Sequence, residues 1–72
     1  MPDSVYKVIE LVGSSTESWE KAASNAISTA AKTVKDIRIA EVVQTDLVIE
    51  DGKVAAYRTK LKVSFKVHEK VD

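Results

Sequence analysis

Residues Ile37 to Val67 read IRIAEVVQTDLVIEDGKVAAYRTKLKVSFKV, and this stretch decides the fold. It predicts two β-strands of about fourteen residues each, which reverse direction at Glu50-Asp51-Gly52-Lys53 because Asp-Gly favours a tight turn. Strands of that length span about 45 Å at about 3.3 Å per residue. The one helical segment, near Thr16 to Val34, reaches only about 27 to 29 Å at about 1.5 Å per residue. We therefore expect other subunits to cover part of this ribbon.

The third strand alternates between two kinds of side chain. Alternation along a strand predicts that one face carries Tyr57, Thr59, Leu61, Val63, Phe65 and Val67, and the other Arg58, Lys60, Lys62, Ser64, Lys66 and His68. We interpret the lysines as a solvated edge that discourages aggregation. The second strand is less regular, because Glu41 and Thr45 share the parity of its apolar residues. Either a β-bulge shifts the alternation or both faces of this strand are partly buried.

The register of this hairpin depends on the length of its loop. A two-residue loop at Asp51-Gly52 places Glu41 opposite Lys62 and Asp46 opposite Tyr57. A three-residue loop with glycine in the left-handed region shifts every pair by one residue. The sequence alone leaves both registers open.

The segment before the ribbon predicts a strand and then a helix. Ser4 to Val12 is rich in β-branched and aromatic residues, and Gly13-Ser14-Ser15-Thr16 is predicted to end this first strand. The helix N-cap is either Ser14, which matches a capping box with Glu17, or Ser15. Small side chains let a helix lie close to a sheet but bury little area. The apolar stripe is mostly alanine and consists of Trp19, Ala22, Ala23, Ala26, Ile27, Ala30, Ala31 and Val34.

Size and composition exclude several classes of protein. A chain of 72 residues without cysteine forms one domain, residues 1–72, with neither disulfides nor thiolate metal sites to stabilise it. Eleven basic residues balance eleven acidic ones, which argues against a nucleic-acid or anionic-membrane partner. His68 is the only histidine and is expected to lie in an exposed tail. No apolar run resembles a signal peptide or a membrane span, so we expect a cytoplasmic protein.

The element order is strand, helix, strand, strand. This order predicts an α+β, β-α-β-β chain with a small helix against an antiparallel sheet, and the uncovered ribbon predicts self-association. No nucleophile–base pair, phosphate loop or paired-carboxylate motif is present, so we do not expect an enzyme.

Three segments carry a family resemblance. They are Val5-Tyr6-Lys7-Val8-Ile9-Glu10-Leu11-Val12-Gly13-Ser14-Ser15, Ile37-Arg38-Ile39-Ala40-Glu41-Val42-Val43 and Tyr57-Arg58-Thr59-Lys60-Leu61-Lys62-Val63-Ser64-Phe65. Read in order, they resemble a dodecin over nearly the whole chain. The resemblance implies a hollow sphere of twelve subunits, in which each three-stranded sheet wraps around its helix. It also implies ligand sites at subunit contacts, where many dodecins bind flavins in stacked pairs.

Two positions depart from the flavin-binding pattern that the resemblance implies. The tryptophan that stacks on the flavin precedes the x-Glu-Val stretch, and here that position is Ile39, two residues before Glu41. The glutamine that bonds the polar edge of the flavin is replaced by Arg58. Isoleucine lacks a flat aromatic face, and arginine has donors only. Flavin binding is therefore expected to be weak or lost.

The departures make the chain more similar to the calcium dodecin subgroup. That similarity also includes Ser18-Trp19-Glu20 and Asp36-Ile37-Arg38, and it implies Ca²⁺ or another divalent cation as a ligand. Calcium takes six to eight oxygen ligands, which one short chain without an EF-hand loop does not supply. Carboxylates from several subunits could meet at a symmetry axis, and the metal ligands are not assigned.

Each candidate side chain also has a purely structural interpretation. We interpret Trp19 as a packing residue rather than a substitute stacking surface, and Tyr57 as a cross-strand aromatic contact. Glu41 is interpreted as an ion-pair partner, with cation ligation as the alternative. Arg58 either binds an anionic ligand through two hydrogen bonds or forms a salt bridge to another subunit. Asp46, Glu50 and Asp51 are interpreted as a solvated loop rather than a metal site.

The leading hypothesis is a non-enzymatic homododecamer that sequesters a small ligand or cation. Its candidate ligand-binding residues are Ile39, Arg58 and Glu41, the positions that match the dodecin flavin site. The alternative is a flavin-storage dodecin that binds FMN or riboflavin. A scaffold whose assembly is its whole role is the third hypothesis.

Overall fold

The computed structural model describes residues 4–67. Within that range the elements are β1 (Tyr6–Ser15), α1 (Trp19–Ala30), β2 (Ile37–Glu50) and β3 (Lys53–Lys66). The strands form one antiparallel sheet in the order β1-β3-β2. The predicted α+β, β-α-β-β fold is confirmed, and His68 lies outside the described residues.

The long hairpin has the predicted length and turn. Strands β2 and β3 contain 14 residues each and are joined at Asp51-Gly52. Asp51 has φ 51° and Gly52 has φ 74°, and these left-handed conformations at both central positions are those of a type I′ turn. The two-residue loop is therefore the correct alternative. Because β3 lies between β1 and β2, the interpretation of its lysines as an edge is wrong.

Three irregularities set the register of the hairpin. The first lies between Val48 and Ile49 of β2 and leaves Ala55 of β3 without a partner on β2. The second leaves Val43 of β2 without a partner on β3. The third, between Ile37 and Ile39, does the same to Arg38. Each extra residue shifts the alternation of one strand against the other. The bulge predicted as one explanation of the irregular second strand is therefore present.

The consequences for the pairing are mixed. Glu41 lies opposite Lys62 as predicted. The bulge at Ala55 shifts the register by one residue, and the bulge at Val43 shifts it back. Between them, Asp46 lies opposite Arg58, so the predicted pairing of Asp46 with Tyr57 is wrong.

The first strand and the helix have other bounds than predicted. The first strand continues through Ser15, because Gly13, Ser14 and Ser15 pair with β3 instead of ending the strand. Ser18 is the N-cap, and its hydroxyl accepts a hydrogen bond of 3.0 Å from the backbone N–H of Lys21. Both predicted N-caps are thus wrong. The helix has 12 residues and is about 18 Å long at about 1.5 Å per residue, which widens the predicted mismatch with the ribbon.

Gly13 lies where the helix approaches the sheet. A Cβ atom at this position would lie 2.9 Å from Cβ of Ala26 and would overlap the carbonyl oxygen of Ala22. Glycine is therefore required by close packing and not by a turn. The core beneath the helix is small: among residues 4–67, the buried hydrophobic side chains are Ala22, Leu61 and Val63.

Much of the apolar surface is uncovered. The chain measures 57 × 20 × 14 Å and has a radius of gyration of 15.2 Å, whereas about 11 Å is typical of a compact chain of this length. Within residues 4–67, no helix is long and apolar enough to cross a membrane. The exposed large hydrophobic side chains are Val5, Tyr6, Val8, Val12, Trp19, Ile39, Val42, Val43, Leu47, Ile49, Val54 and Val67.

Candidate functional site

The side of the sheet away from α1 carries most of the candidate ligand-binding residues. Thr59, Leu61 and Val63 are buried on the helix side. The alternate residues of β3 therefore face the other way, together with the residues paired with them on β1 and β2. We call this surface the open face. Its residues on β3 are Arg58, Lys60, Lys62, Ser64 and Lys66.

Asp46 and Arg58 form a two-point ion pair on the open face. Nε and Nη2 of Arg58 donate hydrogen bonds of 2.7 Å each to Oδ1 and Oδ2 of Asp46. Hydrogen bonding from Arg58 lowers the pKa of the Asp46 carboxyl against a smaller opposing effect of desolvation, and the same bonds raise the pKa of Arg58. Both side chains remain partly exposed, so the pair fixes geometry more than it stabilises the fold.

This geometry changes two interpretations made from the sequence. Asp46 lies within β2, so its assignment to a loop cluster with Glu50 and Asp51 is wrong. Arg58 has an ion-pair partner in its own chain, Asp46, whereas the interpretation from the sequence was a salt bridge to another subunit. The register was the missing information, because Asp46 faces Arg58 only when a bulge shifts this part of the hairpin.

The ion pair lines a pocket of about 210 Å³. Lys60 and Gln44, which are paired across β3 and β2, contribute polar side chains to it, and Val12 of β1 contributes an apolar one. A small ligand in this pocket would contact two cationic groups, one carboxylate and one amide. The pocket can therefore recognise a polar or charged group against an apolar wall.

Ile39 and Glu41 lie elsewhere on the open face. Ile39 is 65% exposed and pairs with Ser64, whose hydroxyl donates a weak 3.4 Å hydrogen bond to the carbonyl oxygen of Ile39. Ser64 is six residues from Arg58 along β3, which corresponds to about 20 Å at about 3.3 Å per residue. One chain thus does not bring Ile39 and Arg58 together. A ligand smaller than about 20 Å does not contact both positions of one chain.

Glu41 belongs to a charged row across the sheet. Lys62 lies between Glu41 on β2 and Glu10 on β1. Glu41 forms no salt bridge with any of residues 4–67. The role of Glu41 as an ion-pair partner or cation ligand stays a prediction.

Trp19 lies at a second, apolar surface on the helix side. Its indole N–H donates a 3.1 Å hydrogen bond to the carbonyl oxygen of Asp46, and its own carbonyl accepts one of 2.8 Å from the Thr59 hydroxyl. The ring meets Tyr57 edge-on, with centroids 5.2 Å apart and an interplanar angle of 79°. The aromatic partner of Tyr57 is thus on the helix, so the predicted cross-strand aromatic contact is wrong. The indole is 38% exposed beside an apolar pocket of about 290 Å³.

The side chains of residues 4–67 do not form a calcium site within one chain. Within residues 4–67, no three Asp, Glu or His side chains lie close enough to hold a metal ion. Both oxygens of Asp46 already accept hydrogen bonds from Arg58. Calcium takes six to eight oxygen ligands, so these described side chains alone do not provide a coordination shell.

Comparison with known proteins identifies the family. The sequence matches the Dodecin family over residues 5–68. It is 47% identical to calcium dodecin of Mycobacterium tuberculosis over 64 residues, which cover 89% of this chain and 90% of that protein. The solved structure of that protein, described as calcium-chelating with a novel calcium-binding site, has a TM-score of 0.81 at 46% identity and covers 96% of this chain and 99% of its own. Dodecin from Streptomyces coelicolor has a TM-score of 0.91 at 36% identity, covering 97% of this chain and 100% of its own. The chain therefore belongs to the dodecin family.

Proposed function

We propose that this protein is a homododecameric shell that binds and sequesters a small ligand or cation in the cytoplasm without catalysing a reaction. The observation that carries the proposal is the uncovered apolar surface of the sheet. The chain exposes 5692 Å². About 4,400 Å² is typical of a folded monomer of its mass. Self-association is the most direct way to cover such a surface in a dodecin.

The ligand chemistry follows from the altered positions on the open face. Ile39 offers an aliphatic contact in place of an aromatic stack. It therefore lacks the stabilisation of about 0.5 to 1.5 kcal/mol that an aromatic pair contributes beyond the effect of buried area. Two donors of Arg58, Nε and Nη2, are directed at Asp46 instead of at a ligand. Both features support weak or absent binding of FMN and riboflavin.

A divalent cation is the ligand that the comparisons favour. The relative from Mycobacterium tuberculosis is described as calcium-chelating. Glu41 and Glu10 supply carboxylates on the open face that form no salt bridge with any of the described residues, and copies of this row in neighbouring subunits could complete a coordination shell. We therefore propose Ca²⁺ binding at subunit contacts, with Glu41 as a ligand.

Flavin storage is the second candidate function. It is supported by the partly exposed indole of Trp19, which lies beside an apolar pocket and offers a stacking surface other than Ile39. In that case FMN or riboflavin binds on the helix side of the sheet and not at the position that matches the dodecin site.

Two titrations distinguish these functions. Calcium titration of chelator-treated protein should raise the melting temperature, since a ligand that binds only the folded state stabilises it. Glu41→Gln should reduce that shift, whereas Glu50→Gln near the turn serves as the matched control and should leave it unchanged. Strong quenching of riboflavin fluorescence by the wild-type protein, without a calcium response, would instead establish the flavin-storage function.

A further inference from the structure

We propose that Asp46 is a specificity-determining residue that occupies Nε and Nη2 of Arg58 and thereby weakens the binding of phosphate-bearing ligands in the pocket on the open face. The inference rests on the proposed function only in treating this pocket as part of the ligand-binding surface. It concerns the charge of the ligand that the pocket accepts.

The geometry of the ion pair is that of a bound anion. Arg58 directs Nε and Nη2 at the two carboxylate oxygens, with both distances at 2.7 Å. These parallel donors are the ones that arginine uses to hold a phosphate or a carboxylate at two points. Asp46 thus takes the place of an anionic ligand.

The carboxylate is held there by the sheet. Asp46 lies directly opposite Arg58 in the β2–β3 ladder, so its carboxylate has a high effective concentration at the guanidinium group. Its pKa is lowered by the same hydrogen bonds, which keeps it ionised at neutral pH. A free anion that approaches Nε and Nη2 of Arg58 has to displace a tethered, charged competitor.

The rest of the pocket would suit an anion if Asp46 were neutral. Arg58 and Lys60 supply two positive charges, and Gln44 supplies an amide donor. With Asp46 present, the lining carries one net positive charge; without its charge, the lining carries two. The volume of about 210 Å³ is large enough for a phosphate group. One side chain therefore sets how strongly the pocket attracts phosphate.

Substitution of Asp46 tests this inference with inorganic phosphate as the probe. Isothermal titration at neutral pH and low ionic strength should show at least about tenfold tighter phosphate binding for Asp46→Asn than for wild type, the change expected from freeing charge-assisted hydrogen bonds. Asp46→Ala, which removes the whole carboxylate, should show the same gain. Asp46 and Arg58 are both partly exposed, so the fold should tolerate these changes.

Two control variants separate the specific effect from a general charge effect. Asp46→Asn combined with Arg58→Gln should lose the gain, because the freed donors are absent. Glu41→Gln removes one negative charge from the same face outside the pocket and should give no gain. Equal affinity of wild type and both Asp46 variants, persistence of the gain without Arg58, or an equal gain in Glu41→Gln would overturn the inference. None of these outcomes depends on whether the protein binds calcium or flavin.

Discussion

Replacing Gly13 by alanine should destabilise the protein by forcing the helix away from the sheet. The new methyl group would lie 2.9 Å from Cβ of Ala26, whereas carbon atoms in contact prefer about 3.5 to 4.0 Å. The overlap with the Ala22 carbonyl oxygen is worse, and a backbone atom cannot rotate away. Overpacking of this kind costs about 1 to 3 kcal/mol, and we expect the upper end because two contacts are violated.

Gly52→Ala is the matched control. Gly52 has φ 74°, and a methyl group added to it would have no other described atom within 4 Å, so this change costs only the backbone strain of about 1 to 2 kcal/mol. Urea unfolding followed by circular dichroism, at equal protein concentration, gives both free energies. Adding Ala26→Gly to the Gly13→Ala chain should recover little stability, because the clash with the Ala22 carbonyl persists. A cost for Gly13→Ala no larger than that for Gly52→Ala would refute the close approach of helix and sheet.

Three further predictions concern the site. Thr59→Val should cost about 1 kcal/mol, because it removes the hydrogen bond to the Trp19 carbonyl, and indole fluorescence during unfolding reports it. Because folding lowers the pKa of Asp46, its ionised carboxylate stabilises the fold at pH values above the ordinary pKa of 3.8. This stabilisation is lost as the pH falls through the pKa of the folded state. The difference in stability between wild type and Asp46→Asn should thus be constant near neutrality and vanish in strong acid; a constant difference down to pH about 2 would contradict the assignment. Ile39→Trp with Arg58→Gln should increase riboflavin binding over wild type, and no increase would show that these positions do not limit it.

The hairpin was predictable because local chemistry determines it. Asp51-Gly52 marks where the chain turns, and alternation along β3 identifies its buried face. The loop length, two or three residues, was open until the positive φ of Asp51 and Gly52 decided it. The helix start was not predictable in the same way, since Ser14, Ser15 and Ser18 all offer a hydroxyl for capping. Tertiary pairing of Ser14 and Ser15 with β3 decides among them and leaves Ser18 as the N-cap.

The ion pair of the candidate site was missed for a different reason. Asp46 and Arg58 face each other only because Ala55, which has no partner on β2, shifts the register near the turn. No sequence signal marks this bulge, since alanine fits a regular strand as well. The separation of Ile39 from Arg58, by contrast, follows from the ladder once the register is known. It means that a ligand smaller than this separation does not contact both side chains of one chain.

We propose that this short chain forms its ligand site only within a shell of subunits. Native mass spectrometry of protein purified without stripping its ligands measures subunit number and bound mass together. We predict a mass near that of twelve chains of 7.9 kDa each, with additional mass from bound cations that a chelator removes. A stable monomer, with its apolar surface exposed and no bound ligand, would contradict the account.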